Sequence, residues 1–462
     1  MELGRLIAPY LLQLWYSIPY SYALSKGRIK GSMQHINLYK RSLVLILSVV
    51  LLCSLFTGCA PKTKTISFMV FGEPAELAAY QTLTSAFQEK HPDIEINLVH
   101  IPSQSDYRTR VAADLAAGTA ADVLLFNYRR YAQFAEAGAL EPLSAYLEDS
   151  KLLKAEDFYP QALEPFRYND QVYCIPQNLS SLVVYYNQDL FTQAGVAFPE
   201  MGWTWNDFLS TAQALTRDTN TDGQIDQFGL GMEPTLMRLA PFIWQNLGEV
   251  ADSDLNPTRL MLDMPENFDT IYFFTELQTL YHVVPNAEQE AAESSESRFL
   301  NGTVGMYLNS RRVVPTLRET AAFNWDVAPL PMKEEAASIL HADGYCMPSA
   351  SKEKDAAWTF IEFANSVEGQ TIIAATGRTV PSLRSVAESP AFLNPDQKPA
   401  SSQVFLDAIP IIRAFPILPF WAELEKIADD EIERAYYSQT TVPEAVQAII
   451  LRVEDVFVEN AK

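Results

Sequence analysis

From residue 65 onward, short apolar runs alternate with stretches of helical periodicity. Residues 65–71 (TISFMVF) are β-rich and apolar, as a buried strand requires. Pro74 opens a helical pattern that runs to Lys90 and stops at His91-Pro92-Asp93, because proline favours a first helical turn and breaks a later one. The same reading predicts a strand over 94–101, a helix over 107–117 closed by Gly118, a strand over 121–126 and a helix reaching Gly138. This βαβα order predicts an α/β fold with a parallel sheet covered by helices, and ligands outside the carboxyl ends of its strands.

The pattern weakens over 151–173 and resumes with a strand at 181–186 and a helix from Trp205 to Thr216. The segments 419–437 and 443–459 are strongly helical. No internal repeat or low-complexity tract interrupts the chain, and the acidic, serine-rich stretch 287–297 reads as solvated surface.

Upstream of residue 65 the pattern is of another kind. Lys40 and Arg41 precede an apolar run, 42–56, which is followed by Thr57-Gly58-Cys59 and the polar segment 60–64. A basic stretch, a short apolar core and small residues before a cut are the parts of a secretory signal. A cysteine directly after Thr-Gly resembles the lipobox of bacterial lipoproteins, with Phe56 where leucine is usual. The resemblance makes Cys59 an acylated mature N-terminus, and more than one acyl chain gives stable anchoring. Fifteen apolar residues fall short of the roughly 20 of a spanning helix. Met33 begins a complete signal of ordinary length, so residues 1–32 read as a gene-start artefact, 33–58 as signal peptide and 59–64 as a lipidated linker. Pro9 and Pro19 argue against a second membrane segment before it.

Composition narrows the class. The chain has 462 residues with 34 Lys+Arg against 57 Asp+Glu, a formal charge of −23. Residues 1–58 carry six Lys/Arg against one Glu, so removing them makes the chain more acidic still, and some 400 residues remain, enough for two domains with their own cores. So acidic a chain is not built to bind nucleic acid or anionic lipid through its bulk surface.

Several passages, in order, resemble the extracellular sugar-binding lipoproteins of ABC importers, the broad maltose-binding-protein-like group. Residues 87–96 (FQEKHPDIEI) resemble its F-x-x-x-H/Y-P-x-I-x-V passage, and 116–123 (AAGTAADV) its A-x-G-x-x-P-D-V loop, with Ala121 replacing proline. Residues 138–143 (GALEPL) match G-x-L-x-x-L. Tyr173-Cys174-Ile175-Pro176 and the later 185–191 (YYNQDLF) resemble Y-G-I-P and Y-Y-N-K-D-L-F, the most specific pieces. Residues 203–208, 302–306 and 376–382 resemble further motifs of the group.

The resemblance implies a two-lobe periplasmic-binding-protein-like fold with discontinuous lobes joined by a hinge. Lobe 1 would take 62–177 plus 329–378 and lobe 2 178–328 plus 379–462, with the ligand in the cleft between them. It further implies the substrate-binding component of an ABC transporter: a monomer, lipid-anchored on the outer face of the cell membrane, delivering a mono- or oligosaccharide to permease subunits. Solute sensing with a sensor kinase and a surface glycoside hydrolase are the alternatives. The chain lacks G-x-S-x-G, H-E-x-x-H and G-x-x-x-x-G-K-[ST], and its histidines show no metal-ligand spacing. It therefore reads as no enzyme and as needing no cofactor, although two carboxylates alone could serve a glycosidase.

Sugar chemistry selects the candidate contacts, since aromatic rings cover C–H faces while carboxylates, amides and arginine satisfy hydroxyls. Glu73 matches the group's acidic position after the first strand, and could equally be a helix-start carboxylate. Asn127, Tyr128 and Arg129 follow the third strand. Tyr185 lies past the crossover, while Tyr186 and Asn187 read as packing. Trp244 and Gln245 fall where the group often carries a stacking aromatic. Asn309, Gly344, Tyr345 and Arg378 complete the set. Trp203, Trp205, Trp325 and Trp358 are assigned to the core, and Trp421 to either.

Asp218, Asn220, Asp222, Gln224 and Asp226 reproduce D-x-N-x-D-G-x-I-D, the front of a calcium loop, but Gly229 stands where the bidentate carboxylate belongs. An Asx-rich turn is the competing reading. Cys174 and Cys346 sit in matching Tyr-Cys-x-Pro contexts, and the resemblance puts their strands close together. Two buried free thiols are expected there rather than a disulfide.

Overall fold

The computed structural model describes residues 63–460. The expected signal peptide, the lipidated Cys59 and the reading of residues 1–32 lie outside the described residues. Lys64, expected to end the linker, already begins the first strand.

The first lobe starts as the hydrophobic pattern predicts. β1 (Lys64–Phe71), α1 (Pro74–Lys90), β2 (Ile94–Ile101), α2 (Gln104–Ala117) and β3 (Val123–Asn127) follow in order. Helix α2 starts three residues before its apolar pattern because the Ser103 hydroxyl accepts from the Asp106 N–H, capping an otherwise unpaired donor. Gly118 ends it in the left-handed conformation, which residues with a side chain rarely adopt.

The chain then crosses over. β4 (Cys174–Pro176), β5 (Ser180–Ser181) and β6 (Val183–Asn187) lead to α3 (Trp205–Leu215), β7 (Phe228–Gly231) and α4 (Leu236–Gln245). α5 (Pro265–Thr279), β8 (Val304–Asn309) and β9 (Trp325–Ala328) complete the second lobe's outward path. The return runs through β10 (Ser338–His341) and β11 (Asp343–Cys346), then α6 (Lys354–Ala364) and α7 (Val367–Ala374). β12 (Ile412–Arg413), α8 (Trp421–Tyr436) and α9 (Val442–Asn460) finish the chain.

Two main sheets result. The first has the order β2-β1-β3-β11-β4, with β1 parallel to β2 and β3, and β11 antiparallel to its neighbours. The second has the order β9-β6-β8-β7. A third, small sheet of β12-β10-β5 lies where the chain passes between the other two. The strand expected as one run over 181–186 is therefore two: β5 pairs in the small sheet and β6 in the second lobe, with Leu182 between.

Each lobe has its own aromatic centre. In the first, the Phe68 ring meets Tyr80, Tyr345 and Phe360 at centroid distances of 4.9–5.8 Å. In the second, Trp205 stacks on Phe273, and Phe274 meets Tyr436. Burying one such side chain is worth about 1.5–3 kcal/mol. Trp203, Trp205, Trp325 and Trp421 are buried, and Trp358 is half-buried beside Tyr146.

Cys174 and Cys346 stand opposite each other on β4 and β11, with Cα atoms 4.3 Å apart, and form a disulfide. The expectation of two free thiols is corrected. The separation is that of a closely spaced antiparallel pair, so the two sulfurs meet across the ladder.

Candidate functional site

A cavity of about 490 Å³ lies between the lobes, within the usual range for small-molecule sites. Its walls come from strand ends. Gly72 and Glu73 follow β1, Pro102 follows β2, and Asn127 ends β3. From the second lobe, Glu233 follows β7, and Ser310 and Arg312 follow β8. Both sheets thus point their carboxyl ends at one space, where the chain leaves each sheet and polar side chains escape its packing.

Charge dominates this wall. Six guanidinium groups line it, those of Arg108, Arg129, Arg130, Arg238, Arg312 and Arg378. Six carboxyl groups face them, from Glu73, Glu76, Glu233, Asp343, Glu425 and Asp429. Arg129 and Arg130, on the first lobe, both pair with Glu425 on α8 of the second. Arg129 Nε also donates to Asn127 Oδ1 at 3.1 Å, and Asn127 Nδ2 donates to Asp343 Oδ1 at 3.2 Å. A continuous polar chain therefore runs from β11 through the end of β3 to α8.

The other groups are held locally. Arg238 Nη2 donates to Glu233 at 2.8 Å, and Arg312 bridges Glu233 and Glu296. Arg378 pairs with Glu76, which also accepts from the Glu73 N–H at 2.9 Å. Arg238 holds the Glu233 carboxyl below its ordinary value. Burial raises the Glu76 carboxyl despite Arg378. Burial likewise pushes Asp429 up to about 6, against the Leu236 N–H it accepts and the pull of Arg129 and Arg130. Burial, with Arg238, Arg129 and Arg312 nearby, pushes His341 well down, so its imidazole is neutral at pH 7.

Glu73, Asn127, Arg129 and Arg378 are the expected contacts that line the cavity. Seven others stand away from the wall. Tyr128 is buried, and its hydroxyl accepts from the Phe415 N–H. The Tyr185 hydroxyl donates to the Ser310 carbonyl inside the second lobe. Trp244 is 2% exposed, with Phe415 on one side and the Arg413 guanidinium 4.8 Å from its ring centre, which corrects the expectation of a stacking platform there. Gln245 is tied to the Trp205 Nε1–H and the Ala337 carbonyl. Asn309 donates to the Tyr307 hydroxyl. Gly344 lets β11 pass the Phe166 ring and Cys174, and Tyr345 accepts from Gln177 within the core.

Ten charged or imidazole groups were not anticipated. Asp343 and Arg130 were one residue from named candidates, so strand alternation and the turn after β3 carried a usable signal. Glu425 and Asp429 are four apart on one face of α8, but nothing local says which face meets the first lobe.

In the loop expected to take calcium, the oxygens are engaged by the loop itself. Asp218 accepts from the Asp222 and Gly223 N–H groups, Asn220 from Asp222, and Asp222 from Gln224. Asp226 accepts from the Thr219 N–H and hydroxyl. Among the described residues, no group of three or more His, Cys, Asp or Glu side chains is placed to hold a metal ion.

Comparison with known proteins matches this geometry to a family. The model for "Bacterial extracellular solute-binding protein" matches residues 72–371. A putative binding protein of Brucella abortus is 23% identical over 371 residues, covering 79% of this chain and 86% of that protein. The maltotriose-binding protein of Pyrococcus abyssi is 25% identical, covering 70% of this chain and 67% of that protein. An ABC substrate-binding protein from Listeria monocytogenes, solved in complex with cycloalternan, superposes with a TM-score of 0.78 at 25% identity, covering 86% of this chain and 99% of that one. Among the described residues no helix is long and apolar enough to cross a membrane. The chain belongs to the bacterial extracellular solute-binding protein family, whose members bind solutes outside the cytoplasm and are not enzymes.

Proposed function

We propose that this protein is the membrane-tethered substrate-binding component of an ABC importer, which captures a carbohydrate between its lobes and presents the closed form to a permease. The observation that carries the reading is the polar cavity between the carboxyl ends of both sheets. Solute held there touches both lobes, so its binding free energy favours the closed shape. The similarity to a maltotriose-binding protein and to a cycloalternan complex supports carbohydrate as the solute class. Acylation of Cys59 supplies the tether, and the protein acts as a monomer. Thermal shifts against mono- and oligosaccharides test the reading: selective stabilisation by a sugar recovered intact supports it, and hydrolysis of that sugar overturns it. Metabolic labelling with palmitate, lost in Cys59→Ser, tests the tether. Calcium in the 218–226 loop is a separate proposal, tested by a calcium-dependent thermal shift that Asp222→Ala abolishes.

A further inference from the structure

Resting on the carbohydrate reading, we propose that the solute is a neutral, compact polyol or single-ring sugar, gripped through its hydroxyls by charged groups rather than stacked on aromatic rings. Three observations on the cavity carry this.

The first is the lack of a free π-face. Among the described residues around the cavity, the rings belong to Phe71 and His341. Phe71 is 7% exposed and packs against Tyr107 at a centroid distance of 5.0 Å. Trp244, the tryptophan among the expected contacts, is covered by Phe415 and Arg413, and Trp421 is fully buried. A chain of pyranose rings presents successive C–H faces, and desolvating these against guanidinium and carboxylate groups loses the apolar contact that makes them bind.

The second is charge balance. The six guanidiniums and six carboxyls of the wall compensate each other, and five of the six arginines are in ion pairs with acids. An anionic group on the solute can only accept, so it meets both the repulsion of the wall's carboxylates and the cost of separating existing pairs. A hydroxyl donates to a carboxylate and accepts from a guanidinium at once, which matches a wall of alternating sign.

The third is which groups remain free. Arg108 makes no ion pair among the described residues, and Asp343 takes only the Asn127 amide on one oxygen. One donor and one acceptor on the same lobe are thus open to adjacent hydroxyls.

The test is calorimetric titration of the full chain, purified in detergent, with common aldohexoses, hexitols, the matching uronic acids and linear trisaccharides. The expected result is saturable binding of at least one neutral hexose or hexitol, about tenfold or more tighter than its uronic acid and than any trisaccharide. Its affinity should change less than about twofold between low and high salt, because no net charge is transferred. Arg108→Gln should weaken it about tenfold or more with an unchanged melting temperature. Equal or tighter binding of a uronic acid or a trisaccharide overturns the inference and leaves the proposed function standing. Silence of every carbohydrate overturns both.

Discussion

Arg129, just after β3, and Glu425, on α8, meet as an ion pair across the cleft, one from each lobe. Arg130 reaches the same carboxylate, so one buried acid holds two half-buried cations. The pair is both part of the cavity wall and a bond between the lobes.

Glu425→Gln should therefore loosen the closed form. Breaking a buried pair from one side costs about 3–5 kcal/mol, and the whole of it falls on contact between lobes. Small-angle scattering should show a larger radius of gyration in the variant without solute, and solute affinity should fall. An unchanged radius and affinity would mean that closure does not depend on this contact.

Asp429 gives a pH signature of opposite sign to an ordinary salt-bridged acid. Its carboxyl is raised from 3.8 to about 6, so the native state holds a proton that the unfolded chain has released. Stability on this account falls as pH rises from about 4 to about 6, and the cost is complete above that window. Asp429→Asn removes the cost while keeping an acceptor for the Leu236 N–H. Urea unfolding at pH 7.5 should show the variant more stable by up to about 3 kcal/mol, and the two proteins should converge at pH 4.

The Cys174–Cys346 disulfide spans 172 residues of sequence and joins the strand before the first crossover to the strand after the return. With Cys53 and Cys59 replaced by serine, thiol titration of the denatured, unreduced chain should find no free thiol, and reduction should release two. Replacing both by alanine should cost about 2–5 kcal/mol in urea unfolding. Two titratable thiols before reduction would restore the free-thiol expectation.

Gly72 has φ +124°, and a Cβ there would overlap the Glu76 carboxylate. Gly72→Ala should then displace Glu76 from Arg378 and from the Glu73 N–H. A loss of about 1–3 kcal/mol, together with weaker solute binding, is the expected outcome of unfolding and titration measurements on the variant.

The first lobe was largely readable from the chain. β1 and β3 are apolar runs and β2 carries apolar residues interspersed with polar ones, all bounded by Pro, Gly or Asp, and their order dictates a parallel core to the sheet. The antiparallel β11 was not readable, because it arrives from more than 200 residues away. At the site, residues at the carboxyl ends of local strands, such as Glu73 and Asn127, were legible because topology alone places them. Trp244 misled because all ten residues of α4 are buried, so helical periodicity cannot say which face meets a cavity. On β11, Gly344 and Tyr345 point to opposite faces of a sheet covered on both sides, so both are buried, while Asp343 at the strand's start lines the solute space. Glu425 and Asp429 depend on α8 being brought against the first lobe, which no local pattern encodes.

The most direct measurement is calorimetric titration of a carbohydrate into the wild type and into Asp343→Ala. The account predicts one saturable site in the wild type and an affinity at least about tenfold lower in the variant, with melting temperatures alike. Equal affinity in the two proteins would place the solute elsewhere and contradict the account.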